Sequence, residues 1–131
     1  MNRANEHQPQ RDDFRRQLAG ALGVDVQRLH VFFSLYENAF VQDALPSKIK
    51  HLIAMAMAIG ERASESIAYH VNEALLAGAS RSEIRETVTV AVLTAGIPSL
   101  SSGLEALAYM AEYEARQMLS AGGTPVNGIR G

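Results

Sequence analysis

The feature that most constrains the fold is a run in the middle of the chain, SKIKHLIAMAMAIG, bounded by Pro46 on one side and closed by Gly60 on the other. It alternates superficially like a strand, yet alanine and methionine are strong helix formers and β-branched residues are few, so the run is expected to be a helix ending at Gly60. The helix would be apolar on nearly every side. Such a helix belongs at the centre of a molecule or against another subunit. Its most apolar part, residues 52–59, is far shorter than the roughly 20 residues that a membrane span needs.

Punctuation elsewhere predicts more helices and no strand. DDFRRQLAGALG, starting at Asp12, has acids first and Gly23 last, which suits a short helix with a favourable dipole. Asp25 can cap a second helix, whose Leu29, Phe32, Phe33, Tyr36 and Phe40 recur at helical spacing and are expected to be core. Leu45-Pro46 stops that helix, and Ser47 is expected to cap the next. After the short ERA link, Ser64 is expected to cap SESIAYHVNEALLAG, with Gly78 closing it in a left-handed conformation. Ser80 and Glu83 form an S-x-x-E capping box, and Gly96 with Pro98 supplies the stop. The β-branched residues between 87 and 92 weaken helix propensity there, so deep burial is expected to hold this segment. A final helix from Pro98 or Ser99 to about Leu119 would present Leu100, Leu104, Leu107, Ala111, Ala115 and Met118 on one side, with Glu105, Glu112 and Glu114 on the other.

The expected fold class is therefore all-α, a bundle of about six helices. With 131 residues and 47% apolar content, the chain suits one domain, residues 11–119. A flexible N-terminus over 1–10 and a flexible tail over 120–131 would flank it. A formal net charge of -2 gives no field that attracts nucleic acid or an anionic membrane, and neither is an expected partner. The polar first ten residues carry no secretory core, so the expected location is the cytoplasm. Cysteine is absent, which removes disulfides, thiolate metal sites and thiol nucleophiles together.

The stretch ALPSKIKHLIAMAMAIGERASESIAYHVNEALLAGASRSEIRETVTVAVLTAGIP, residues 44–98, resembles the carboxymuconolactone decarboxylase family, which includes the alkylhydroperoxidase D-like proteins. Five elements in order carry the resemblance: a leucine-proline entry to an apolar helix, a short polar link, a helix with a histidine, an A-x-x-x-G-A-[ST] turn with an acidic cap, and a Gly-Ile-Pro exit. The resemblance implies homotrimers or homohexamers. In the peroxidase branch a glutamate, a C-x-x-C pair and a histidine relay protons to a thiolate. Here the histidine is matched by His70, the cysteine positions fall on Ala63 and Ser66, and the glutamate position falls on His51. A serine hydroxyl cannot cycle through sulfenic acid or disulfide, so thiol peroxidase activity is not expected. The decarboxylase branch also lacks the cysteines, keeps the histidine matched by His70, and acts without a cofactor on a small carboxylated lactone.

The residues offer their own reading of a site. Ser66 and His70 lie four apart on one helix face, and the resemblance brings His51 on the preceding helix to the same spot. Imidazoles titrate near neutrality, so His51, Ser66 and His70 are the candidate acid-base centre. Arg62, beside the free amides at the start of the Ser64 helix, could hold a substrate carboxylate, with Glu65 opposing it or pairing with it. His51, His70 and Glu65 or Glu73 lack the spacing of a metal-binding motif, so no metal is expected, and the resemblance to the decarboxylase branch implies no cofactor. Two functional classes follow: a lyase or isomerase acting on a small carboxylated lactone or related carbonyl compound, and a non-catalytic small-molecule-binding or scaffold protein that kept the fold.

Overall fold

The structure is a computed structural model describing residues 8–122. Of the termini expected to be flexible, residues 1–7 and 123–131 lie outside it. Six helices follow one another, with no strand among the described residues: α1 (Gln8–Leu22), α2 (Val26–Ala39), α3 (Ser47–Glu61), α4 (Ser64–Leu76), α5 (Arg81–Ala95) and α6 (Leu100–Ala121). A 3-10 turn, Ile97–Ser99, leads into α6. The all-α expectation holds. No helix among the described residues is long and apolar enough to cross a membrane.

The chain divides into two compact units, one through Val41 and one from Gln42. In the first, α1 starts four residues before the expected Asp12, and Gly23 ends it with φ 64. Asp25 caps α2 as expected, its side chain accepting from the Gln27 amide at 2.9 Å. Arg15 ties the two helices by pairing with Glu37 and by placing its guanidinium 4.8 Å from the centre of the Phe33 ring. The aromatic stripe departs from expectation. No residue of α2 is buried, and Phe32 is 62% exposed. Two helices cover each other along one seam only, too narrow to enclose a five-residue stripe.

From Gln42 onward four helices share a core that includes Met55, Ile59, Ile67, Val71, Ile84 and Ala106. Helix α3 ends at Glu61, and Arg62 then takes the left-handed conformation (φ 57, ψ 40), its amide donating to the Ala58 and Ile59 carbonyls. Gly60 is therefore not the stop. Holding a non-glycine residue there costs about 1 kcal/mol, which the packing of α3 on α4 must offset. Neither Ser47 nor Ser64 caps its helix; each is the first helical residue, behind Pro46 and Ala63, and neither of those supplies a side-chain cap. Pro46, with φ -59 and ψ 148, already has the extended geometry that precedes a helix, and this moves the boundary back by one residue.

The boundary at Ser80 matches expectation in full. Ser80 Oγ accepts from the Glu83 amide at 3.1 Å, and Glu83 Oε2 accepts from the Ser80 amide at 2.7 Å. The other Glu83 oxygen accepts from Lys48 Nζ at 2.9 Å, joining the first turn of α3 to that of α5. Gly78 and Gly96 both take positive φ, 96 and 92.

Two expectations about faces are corrected. Helix α5 buries only Ile84, Val88 and Ala91, while Val90 and Leu93 are exposed, so one stripe and not deep burial holds it. Helix α6 buries Ser102, Gly103, Ala106 and Met110 and leaves Leu100, Leu104 and Met118 outward. The cause is close approach. A Cβ added to Gly103 would lie 2.5 Å from Val92 Cγ2 and 3.2 Å from Val88 Cγ1, so the small-residue face alone lets α6 pack this tightly on α5.

Candidate active site

Helices α3 and α4 pack side by side, and each carries one histidine among its core-facing positions. His51 shares its face with Met55 and Ile59, at steps of four residues; His70 lies with Ile67, Val71 and Ala74. Both rings are buried, His51 at 6% and His70 at 4% exposure. They meet nitrogen to nitrogen, with His51 Nδ1 3.1 Å from His70 Nδ1.

The ring centroids are 5.4 Å apart and the planes are tilted by 39°. A ring nitrogen lies about 1.15 Å from the centre of a five-membered ring of ~1.35 Å bonds. The 3.1 Å gap and one such radius at either end therefore account for the whole centroid separation. The two nitrogens point straight at each other. A metal ion held by both at ~2.05 Å would instead make the lone pairs converge beside that line and bring the centroids to about 4.8 Å. The contact thus has the shape of a hydrogen bond and not of a chelate. Among the described residues, no group of three or more histidines, aspartates or glutamates is placed to hold a metal ion.

Burial lowers the His70 pKa from its ordinary value, because a charged ring loses hydration that its surroundings do not replace. Burial therefore favours the neutral form of His70. Tyr69 stands edge-on to it, with centroids 5.0 Å apart and planes at 81°.

The other expected site residues are less engaged. Ser66 is half-buried one turn before His70, and no hydrogen bond joins the two. Arg62 and Glu65 are exposed at the α3–α4 link. No ion pair or hydrogen bond connects either to the imidazoles. The structure brings His51 and His70 together and leaves Arg62 and Glu65 at the end of the helical hairpin.

One group near that end was missed in the sequence. Glu105 on α6 accepts from Ser64 Oγ at 3.0 Å and from Tyr109 OH at 2.9 Å, and this carboxylate raises the Tyr109 pKa. It puts a second acid, beside Glu65, at the helix start where a substrate carboxylate was expected. The i, i+4 spacing of Glu105 and Tyr109 was legible as a helical pair. The link to Ser64, 41 residues away, left no mark in the sequence.

An all-helical fold whose two central helices present a buried imidazole pair, in a chain with no cysteine, defines the class of protein. The model of the carboxymuconolactone decarboxylase family matches residues 28–109, more than half of the chain. The chain belongs to that family. It is similar to an uncharacterized protein of Cupriavidus necator, 29% identical over 91 residues, which cover 69% of this chain and 80% of that protein. Among solved structures it resembles apo crystals of a carboxymuconolactone decarboxylase family protein from Legionella pneumophila, at 31% identity and a TM-score of 0.67, covering 82% of this chain and 90% of that one. A Thermotoga maritima protein of the same family, at 23% identity, shares the fold with a TM-score of 0.66, covering 70% of this chain and 95% of that one.

Proposed function

We propose that this protein carries out cofactor-free acid-base chemistry on a small carboxylated lactone or related carbonyl compound, as a lyase of the decarboxylase type. The observation that carries this reading is the straight 3.1 Å contact between His51 and His70. In decarboxylation the bond to the carboxyl carbon breaks, carbon dioxide leaves, and the electron pair stays on the substrate as an enolate. A proton must then reach carbon. The pair, when it holds one added proton, supplies it from the imidazolium Nε2–H and returns to two neutral, hydrogen-bonded rings. In this proposal Arg62, exposed at the α3–α4 link, is the cation that meets the substrate carboxylate. Ser66, one turn from His70, supplies a neutral hydroxyl for the carbonyl oxygen.

The test is turnover of a panel of lactone acids, followed by ultraviolet absorbance. His70→Ala is expected to lose about 10²-fold or more of the rate. Undiminished turnover in a folded His70→Ala protein would end this reading.

The low exposure of both imidazoles favours a second reading, a binding or scaffold protein in which the pair is a structural hydrogen bond. No turnover by the wild-type protein, with retained affinity for a lactone acid, is the result that selects it. Thiol peroxidase activity is not expected of a chain without cysteine.

Self-association as a homotrimer or homohexamer belongs to the same proposal. Its support is an apolar strip formed by Val90 and Leu93 on α5, Ile97 in the 3-10 turn, and Leu100 and Leu104 on α6, with Ile97 85% exposed. A monomeric mass by light scattering at micromolar concentration would remove it.

A further inference from the structure

A neutral imidazole carries one ring hydrogen, on Nδ1 or on Nε2. If both rings held it on Nε2, two lone pairs would face each other across the 3.1 Å gap; if both held it on Nδ1, two hydrogens would. Either arrangement leaves two buried polar atoms of the same kind opposed. Only the mixed arrangement makes a bond. One ring then has Nδ1–H and a bare Nε2, and the other has a bare Nδ1 and Nε2–H.

We propose that His51 and His70 act as a one-proton unit, in which His51 is the positioning residue that fixes which nitrogen of His70 is bare, and the pair takes up a single added proton. That proton goes to the bare Nε2 of the donor ring, whose Nδ1–H then becomes a charge-assisted donor to its neutral partner. A second would put hydrogens on both Nδ1 atoms, and like charges on both rings, across one short contact. The rings would have to part, and their helices with them.

Among the titratable groups on the helices around the pair are Lys48 and Lys50 on α3, Tyr69 and Glu73 on α4, Glu83 on α5 and Glu105 on α6. None is a histidine, so the nitrogen signals of labelled histidine report the imidazoles themselves. The inference rests on the pair invoked in the acid-base reading above, but its test needs no substrate.

The test is nitrogen NMR of the full chain labelled with ¹⁵N-histidine, titrated from about pH 8 to 5. A through-hydrogen-bond coupling between the two Nδ1 atoms is expected at the high end. On acidification His51 and His70 are expected to shift together in one step amounting to one proton. In His51→Phe the coupling is lost and His70 titrates alone with a full proton of its own. Absence of the coupling in the wild-type protein, or two separate one-proton steps with the helices intact, overturns the proposal. Should His51→Phe not fold, the wild-type titration decides by itself. A protein that shows the coupling and the single step yet converts no lactone acid would lose the proposed reaction and keep this pairing.

Discussion

All four phenylalanines of the chain precede Val41, and none of them is buried; the unit from Gln42 has no phenylalanine and holds Met55, Ile59, Ile67 and Ile84 at or near zero exposure. The contrast separates hydrophobic size from burial. A side chain is enclosed when helices surround it, and from Gln42 onward four helices pack on one another, whereas α1 and α2 within their own unit offer a single seam. Alanine and glycine matter more than aromatics in the second unit because they set how closely its helices approach. In the first, one salt bridge and a cation stacked on Phe33 do much of the local fastening.

The largest effect expected from this contrast is that of Ile59→Ala, which empties a fully enclosed site and should cost about 2–5 kcal/mol in urea unfolding. Gly103→Ala comes next. Its new methyl has no room beside Val92, and a loss of about 1–3 kcal/mol is expected by the same measurement. A third test concerns acidity. Burial lowers the folded-state pKa of His70 from the ordinary 6.5, so the unfolded chain takes up that proton first and stability falls as the pH drops through 6.5 towards the lower folded-state value. The thermal midpoint is expected to be higher at about pH 7.5 than at about pH 5.5, with the difference reduced in His70→Ala. The smallest effect is that of Phe32→Ala on the exposed side of α2, within about 0.5 kcal/mol. If Phe32→Ala costs as much as Ile59→Ala, the distinction between the two units fails.

The same contrast explains what could be read from the sequence. The capping box at Ser80 and Glu83 was legible to the residue, because both bonds lie within one turn and need no tertiary partner. The buried face of α6 was not. Periodicity marked the leucines, but the neighbouring stripe of Ser102, Gly103 and Ala106 faces inward, since inter-helix distance decides and a single sequence carries no record of it. At the site, the family resemblance pointed to His51 and His70 as a pair. That their Nδ1 atoms meet in line follows from the crossing of α3 and α4, which spacing along one helix cannot reveal. Glu105 escaped notice for a similar reason, as its Ser64 partner lies on another helix.

The missing side chain at position 103 also makes the seating of α6 single-valued. Slid by one residue in either direction, α6 would drive Ser102 or Leu104 into the slot between Val88 and Val92, where even a methyl does not fit. The helix engages its neighbour like a key with one notch, and that engagement fixes the height at which the carboxylate two positions further along reaches across to the opening turn of α4.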